Sequence, residues 1–172
     1  MIANLAKYDD PRGWEVIREV SELGGRANEV RNAWLLRAER GDPEAREFLL
    51  ASIDDEDLNH GARDEVFEGL RCFEDDEVRA VIERIASDET EDQSRRYYAW
   101  GVLAYWRDPR ARNFWLECLA GEDTTRRIAA VTALSNYDNP EVWELIRHAA
   151  ENDPDRQVVK EAQKQLDKRE GE

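Results

Sequence analysis

The sequence predicts an all-α fold, an α-solenoid of about five two-helix repeats wound as a right-handed superhelix. Three observations predict it. Signals that open a helix recur along the chain, apolar residues recur at fixed distances from each signal, and no stretch shows the alternation of a strand. The openings are spaced by 32, 33, 33 and 31 residues. They fall at Pro11, Pro43, Asp76, Pro109 and Pro140.

The first helix of each repeat begins at its opening. Asp108-Pro109 shows the usual form, an N-cap followed by the proline that suits the first helical position. The third repeat opens at Asp76 without a proline. Residues at offsets 2, 5, 6 and 9 predict one apolar helix face, from which only Gly13 and Ser52 depart. They are Gly13, Val16, Ile17 and Val20; Ala45, Phe48, Leu49 and Ser52; Val78, Val81, Ile82 and Ile85; Ala111, Phe114, Trp115 and Cys118; and Val142, Leu145, Ile146 and Ala149.

The second helix of each repeat is found by counting back from the next opening. Positions −9 and −10 are apolar, so we expect them in the core. They are Trp34, Phe67, Trp100 and Val131, with Ala33, Val66, Ala99 and Ala130. Position −3 is aromatic, at Tyr8, Phe73, Trp106 and Tyr137. A residue just before an N-cap can pack as a hydrophobic staple, so we expect this row to be structural.

The repeats follow one another without a linker, which predicts a single domain over residues 1–172. Their predicted bounds are about 9–40, 41–73, 74–106, 107–137 and 138–172. Residues 1–8 form a half-repeat cap, because Ile2, Leu5 and Tyr8 match the end of a second helix. The predicted helices, given as the first and second helix of each repeat, cover 10–23 and 27–39, then 43–53 and 60–73, then 76–87 and 94–106. The fourth repeat has 109–120 and a second helix that ends at Leu134, and the fifth has 140–151 and 158–168. The last helix is polar on most of its surface, as a terminal repeat requires.

The second helices resemble HEAT repeats. The segment R-R-I-A-A-V-T-A-L before Asn139-Pro140 and the segment R-R-Y-Y-A-W-G-V-L before Asp108-Pro109 carry the resemblance. They look closest to the short bacterial and archaeal subtype that also occurs in phycobilin lyases. The resemblance covers nearly the whole chain and implies a binding scaffold, with a few enzymatic exceptions. It also implies that Arg63, Arg96 and Arg127, all at position −13, pair with acids of neighbouring turns, where Asp57, Asp88, Asp92 and Asp123 are candidates.

The net charge of the chain limits which classes of partner it can bind. The chain carries a net charge of −15, which argues against binding nucleic acid or an anionic membrane. The same charge suits a basic partner. A high-salt habitat or a GC-rich genome would explain it equally well, because 21 of the 25 cations are arginine. No signal peptide or membrane span is visible, so the sequence predicts a cytoplasmic monomer.

The residues that could perform chemistry are not arranged for it. His60 and His148 lack ligand spacing to Cys72 or Cys118, which predicts reduced thiols and no metal site. The chain contains no nucleophile elbow, phosphate loop or dinucleotide fingerprint, so we expect neither catalytic residues nor a cofactor. The alkylpurine DNA glycosylases, a catalytic branch with HEAT-like repeats, have a basic groove that this acidic chain lacks.

One second helix departs from the repeat pattern. Tyr97, Gly101 and Tyr105 form a stripe at i, i+4 and i+8 that avoids the core positions. In HEAT-like geometry this stripe faces the concave groove, where a glycine between tyrosines leaves a notch. Such a notch suits a protein or peptide partner, although Gly101 could instead permit close helix packing. The predicted partner-binding residues are Tyr97, Tyr98, Gly101, Tyr105, Arg31, Leu35, Glu68, Arg71 and Thr132, with Asp64 and Ile128 beside them.

The sequence therefore predicts a non-enzymatic protein-binding scaffold. The alternative is an acidic inhibitor, of immunity or antitoxin type, that covers a basic enzyme with the acidic turns 54–57 and 88–92. A lyase or glycosylase ranks below both. Trp14 and Trp143 sit off the apolar face of their helices, and the sequence leaves open whether they contact a partner or extend the core at the ends.

Overall fold

The computed structural model describes residues 11–23, 27–55, 58 and 60–171. This part of the chain contains helices and no strand. The predicted cap at Ile2, Leu5 and Tyr8 lies outside the described residues, as do Gly24, Gly25, Glu56 and Asp57. The helices are α1 (Pro11–Leu23), α2 (Ala27–Glu39), α3 (Pro43–Ser52), α4 (His60–Leu70), α5 (Asp76–Ser87), α6 (Gln93–Tyr105), α7 (Pro109–Ala120), α8 (Thr124–Leu134), α9 (Pro140–Asn152) and α10 (Arg156–Glu170).

From the second repeat to the fifth, the residue before the opening is an N-cap, as predicted, and Asp10 before Pro11 lies outside the described residues. Asp42, Asp108 and Asn139 each accept a hydrogen bond from a backbone N–H of the first helical turn, and a proline follows each of them. The third repeat uses Asp75, whose carboxylate accepts from the N–H groups of Glu77 and Val78. These side chains satisfy donors that a helix leaves unpaired at its start, which explains why the helices begin at these positions.

The chain divides into two compact units, Met1–Val102 and Leu103–Glu172. In the first unit, α1 packs on α2 and α3 packs on α4, while the second helices α2 and α4 pack on each other. In the second unit, α7 packs on α8 and α9 on α10, and the second helices α8 and α10 are again neighbours. Pairing within a repeat and stacking between second helices is the packing of an α-solenoid.

The core follows the repeat pattern at most positions. Residues at offsets 2 and 6 are buried from the second repeat to the fifth. Offset 5 is different: Val16, Phe48 and Leu145 are 40–45% exposed. At 100° per residue, offset 5 lies about 70° from the centre of the arc that offsets 2, 6 and 9 define. The apolar face that the sequence predicts is therefore narrower in the structure, and offset 5 marks its edge.

The aromatic row at position −3 is structural where its side chains are buried. Phe73 and Tyr137 are buried, and the Tyr137 hydroxyl donates to the carbonyl oxygen of Asp108 at 2.6 Å. Burial raises the pKa of Tyr137, so its hydroxyl stays protonated and remains a donor. Trp106 is half-buried.

Arg127 joins two turns of the second unit. Its Nε and Nη2 donate to Asp153 Oδ2 at 2.9 Å and Oδ1 at 3.2 Å, and its Nη1 donates to the carbonyl oxygen of Glu122 at 2.7 Å. Both charged side chains are at most 10% exposed. The predicted structural role is confirmed, but the acid is Asp153, in the turn of the following repeat, and none of the predicted candidates. Arg96 Nε donates to the carbonyl oxygen of Ala86 at 3.4 Å.

Arg46 and Asp75 join two first helices of the first unit. Arg46 Nε and Nη2 donate to Asp75 Oδ2 and Oδ1, both at 2.7 Å, and Nη2 also reaches Glu77 Oε2 at 2.7 Å. The hydrogen bonds from Arg46 lower the pKa of Asp75 from its ordinary 3.8 to about 2, despite partial desolvation. One carboxylate thus caps α5 and holds the preceding first helix.

Two turns that lead into first helices share a left-handed residue. Gly41 has a φ of 72° and Arg107 a φ of 60°. Both turns have the same hydrogen bonds: the N–H of Gly41 donates to Ala38 and that of Asp42 to Arg37, as Arg107 does to Ala104 and Asp108 to Leu103. Glycine adopts this conformation without penalty, whereas for arginine it costs about 1–2 kcal/mol.

Arg127→Leu should lower the free energy of unfolding by about 3 kcal/mol or more, because it leaves the buried carboxylate of Asp153 without its cation. Urea denaturation measures the change. The matched control is Arg126→Leu, since Arg126 reaches Asp123 at 3.6 Å from a more exposed position. We expect that variant to change stability by about 0.5 kcal/mol or less. Equal effects in the two variants would contradict a structural role specific to Arg127.

Asp75→Asn should remove the ion pair with Arg46 while keeping an N-cap, because asparagine caps as well as aspartate. The pKa of Asp75 is lower in the folded state, so its ionisation stabilises the fold above about pH 3.8 and loses that effect as pH falls toward 2. The stability difference between wild type and variant should therefore shrink over this window. Urea denaturation at several pH values measures it, with exposed Asp76→Asn as the control; a pH-independent difference would rule out the linkage.

Candidate functional site

Gly101 leaves an opening on the surface of α6. It lies one turn after Tyr97 and Tyr98, at i+4 and i+3, so these rings are its neighbours on the helix. A Cβ added to Gly101 would meet nothing within 4 Å. No described neighbouring helix packs closely against Gly101, so the alternative explanation for this glycine, close helix packing, does not apply.

Gly69 shows what a packing glycine looks like in the same unit. A Cβ added there would lie 2.6 Å from Leu49 Cδ1 and 3.3 Å from Leu35 Cδ2. Leu49 is buried, so it has little room to move away. Gly69 thus allows α4 to approach its neighbours, whereas Gly101 faces open space.

The two tyrosines beside Gly101 have different environments. Tyr97 is half-buried, and its hydroxyl lies 3.5 Å from Gln93 Nε2 one turn earlier. Tyr98 stacks on Phe67 of α4, with ring centroids 5.6 Å apart. Burial, with the charges of Asp64 and Asp92, raises the pKa of Tyr98. Tyr98 is thus anchored to α4, and Tyr97 lies next to it on α6, one turn before Gly101.

Helix α4 places a charged stripe beside these rings. Asp64, Glu68 and Arg71 lie at i, i+4 and i+7, and Glu68 pairs with Arg71 at 2.8 Å. Burial raises the pKa of Glu68, an effect that Arg71 opposes and the charges of Asp64 and Glu39 reinforce. Burial also raises the pKa of Asp64, with a further contribution from Glu65. The stripe contains two carboxylates and one arginine, so its net charge is negative and it attracts a cation.

Comparison with known protein families identifies the type of repeat. A family of HEAT repeats matches residues 82–167, half of the chain. The chain belongs to the HEAT-repeat family. HEAT repeats commonly serve as protein-interaction scaffolds, and their fold is generally non-catalytic. The resemblance to the phycobilin-lyase subtype stays a prediction. A search of curated proteins finds no match.

The remaining predicted site residues do not all join this surface. Leu35 is half-buried on α2. Its Cδ2 lies 3.3 Å from the position that a Cβ of Gly69 would occupy. The side chain of Arg31 lies outside the described residues. Tyr105, 47% exposed, and Thr132 belong to the second unit, where Thr132 Oγ1 donates to Glu161 Oε1 at 3.0 Å. Within the first unit, Tyr97, Tyr98 and Gly101 share α6, and Tyr98 stacks on α4, the helix that carries Glu68 and Arg71.

The acidic turns of this HEAT-repeat chain have structural uses. Asp54 accepts from Arg95 Nη2 at 2.9 Å and from Arg84 Nη2 at 3.2 Å. Partial burial raises the pKa of Asp54, but these two arginines hold it below its ordinary value. Asp92 accepts from the backbone N–H of Ser94 at 3.0 Å and Arg95 at 3.2 Å, which satisfies the start of α6. Carboxylates of both turns therefore stabilise the fold, and their presence alone does not indicate a partner.

The excess of negative charge is concentrated in the middle of the chain. Residues 51–100 contain 16 Asp and Glu against 6 Arg, which makes −10 of the total −15. This segment includes α4 with its net negative stripe. Tyr97 and Tyr98 lie at the end of the segment, and Gly101 directly follows it.

The terminal tryptophans are part of the packing. Trp143 is buried, and its indole N–H donates to the carbonyl oxygen of Tyr137 at 3.0 Å. The guanidinium of Arg169 lies 4.3 Å from its ring centroid. Trp14 is half-buried, with the Arg40 guanidinium 4.1 Å from its ring. In both repeats an arginine at or just after the end of the second helix covers the tryptophan of the first helix, which favours an end-cap core over a partner contact.

None of the helices among the described residues has the length and apolar character that crossing a bilayer needs. No group of three or more His, Cys, Asp or Glu among them is arranged to hold a metal ion. Cys72 is exposed and Cys118 half-buried, both as free thiols.

Gly101→Ala should raise the free energy of unfolding by about 0.5–1 kcal/mol, because alanine favours the helix and its Cβ meets no neighbour. The matched variant is Gly69→Ala, which gains the same helix propensity but forces a Cβ against buried Leu49, at a cost of about 1–3 kcal/mol. Thermal and urea denaturation compare the two. If Gly101→Ala destabilised the protein as much as Gly69→Ala, the opening at Gly101 would not exist.

Proposed function

We propose that this chain is a non-enzymatic protein-binding scaffold whose second-helix face in the first unit binds a protein or peptide. The open position at Gly101 carries the proposal. A glycine in the middle of a helix costs about 1 kcal/mol relative to alanine, and packing does not require it here. A role in admitting a partner's side chain between Tyr97 and Tyr98 gives this destabilising residue a function.

The chemistry around the opening indicates what side chain would enter it. Tyrosine rings offer apolar area and a π face, and the stripe of Asp64 and Glu68 lies on the neighbouring helix. Aromatic faces together with carboxylates favour a lysine or arginine, whose aliphatic stem packs on the rings while its charge meets the acids. The acidity of residues 51–100 supports a basic partner by electrostatic steering. We therefore propose a partner segment that inserts a basic side chain beside Gly101.

A second candidate function is an acidic inhibitor of a basic enzyme, of the immunity or antitoxin type. The concentration of charge in residues 51–100 favours it. Such an inhibitor would bind through the acidic turns 54–57 and 88–92, and its affinity would fall steeply with salt. Binding through the site at Gly101 depends less on salt, because part of its free energy comes from apolar contact with the tyrosines.

Gly101→Leu should abolish partner binding, because the leucine side chain fills the opening while the helix remains intact. The experiment is affinity capture from the native host's lysate, at low and at high salt, with wild type and variant as baits. The matched control is Ala80→Leu, which adds the same side chain at an exposed position of α5. We expect a partner that Ala80→Leu retains, that Gly101→Leu loses, and that persists in high salt.

The opposite pattern would overturn the proposal. A basic partner that ignores Gly101→Leu, dissociates in salt and is lost when Asp54 and Asp55 are neutralised would establish the inhibitor instead. Circular dichroism and thermal denaturation of each bait separate loss of binding from loss of fold. Because Asp54 also pairs with Arg84 and Arg95, the neutralised variant needs this stability check most.

A further inference from the structure

The second unit contains a cavity where the ends of three of its helices meet. Its volume is about 280 Å³. The turn after α8 supplies Asn136 and Asp138, α9 supplies Trp143, and the last turn of α10 supplies Lys168 and Arg169. Arg107, from the turn before α7, completes the lining. The cavity shares no residue with the site at Gly101.

The charge of this cavity is opposite to that of the chain. Arg107, Lys168 and Arg169 face a single carboxylate, Asp138, in a protein of net charge −15. Arg169 Nη2 reaches Asp138 Oδ1 at only 3.6 Å, a weak and exposed pair. No described residue pairs with the Lys168 ammonium or with the Nη groups of Arg107. Three cations thus converge with little internal neutralisation, which is the composition of an anion site.

The rear of the cavity is rigid. The indole N–H of Trp143 is fixed on Tyr137, and Tyr137 is fixed on Asp108 through its hydroxyl. The Arg169 guanidinium stacks over the Trp143 ring at 4.3 Å. Stacking on a buried ring restricts the planar guanidinium before any ligand arrives, so less conformational entropy is lost on binding.

The backbone of Arg107 is a second reason to assign a function to this cavity. Among the described residues, Arg107 is the one non-glycine residue with a positive φ, at 60°. The turn before α3 has Gly41 at the corresponding position. From this turn the Arg107 side chain reaches the turn after α8, where its Nε donates to the carbonyl oxygen of Asn136 at 3.0 Å. That bond holds the guanidinium at the rim of the cavity. Strain of this kind is retained where the side chain has a use that glycine lacks.

We propose that this cavity binds an anionic oxygen group, a carboxylate or a phosphate, through Arg107, Lys168 and Arg169. Arg107 and Arg169 present guanidinium groups that suit paired oxygens, and Lys168 adds a point charge. The overall charge of −15 repels anions at a distance, but at about 0.15 M salt this repulsion is screened beyond roughly 8 Å. The contacts inside the cavity are shorter and retain their strength.

The test titrates the protein with inorganic phosphate and, separately, with acetate, at constant ionic strength. The NMR signal of the Trp143 indole N–H reports on the cavity. Wild type should show a saturable shift with at least one of the two anions. Lys168→Gln should weaken the affinity at least threefold, while Lys160→Gln, with the same charge change on an exposed part of α10 outside the cavity, should leave it unchanged. The anion that saturates identifies phosphate or carboxylate as the ligand group.

Arg107→Gly separates binding from folding, because glycine suits the backbone conformation. We expect this variant to keep or raise the melting temperature and to weaken the affinity at least threefold. Shifts that grow linearly without saturating for both anions, or equal losses in Lys168→Gln and Lys160→Gln, would overturn the proposal. The outcome is independent of partner binding at Gly101, since Gly101→Leu leaves the cavity unchanged.

Discussion

The fold depends on carboxylates that cap one helix and bind an arginine of another. Asp42 caps α3 and accepts from Arg37 Nε at 2.7 Å, and Asp75 caps α5 while it pairs with Arg46. A repeat contacts only its neighbours, so each junction must be specified locally. A cap that is also an ion-pair partner fixes the start of a helix and its neighbour at once. Losing one such carboxylate therefore affects both helix formation and packing.

The same constraint changes how the acidity of the chain is understood. Asp75, Asp92 and Asp153 satisfy backbone groups or hold arginines. Much of the acidic composition therefore follows from a repeat that starts many short helices. The carboxylates of Asp64 and Glu68 are different, because they lie within a helix rather than at its start, and Arg71 is the one cation of their stripe. This difference is why the proposed basic partner is assigned to the α4 stripe and not to the turns.

Local patterns in the sequence predict most of the fold because the repeat is local. Helix starts at Pro43, Pro109 and Pro140 follow from the cap and proline, and the ranges of α1 and α2 fall within one residue of prediction. Two features could not be predicted. The exposure of Phe48 depends on how far the neighbouring repeat covers the helix edge. The pairing of Arg127 with Asp153 depends on which turn lies within reach, since acids are present in every turn.

The candidate site shows the limit of sequence reasoning more sharply. Gly69 and Gly101 are both glycines within predicted second helices, and nothing in their neighbours distinguishes a packing glycine from an open one. Only the distances do: Leu49 lies 2.6 Å from the Cβ position at Gly69, and no atom lies within 4 Å at Gly101. The sequence predicted the tyrosine stripe, but it could not exclude the packing explanation for its centre.

The cavity beside Arg107 was missed, although a signal existed. Aligning Arg40-Gly41-Asp42-Pro43 with Trp106-Arg107-Asp108-Pro109 places an arginine where the earlier repeat has glycine. That comparison acquires meaning only once the structure shows a left-handed turn at both positions. Gly101 and Arg107 then resemble each other, because each is less stable in its backbone conformation than another residue would be. Alanine is more stable than glycine within a helix, and glycine is more stable than arginine at a positive φ. Both proposed binding surfaces therefore contain a residue that folding alone does not favour.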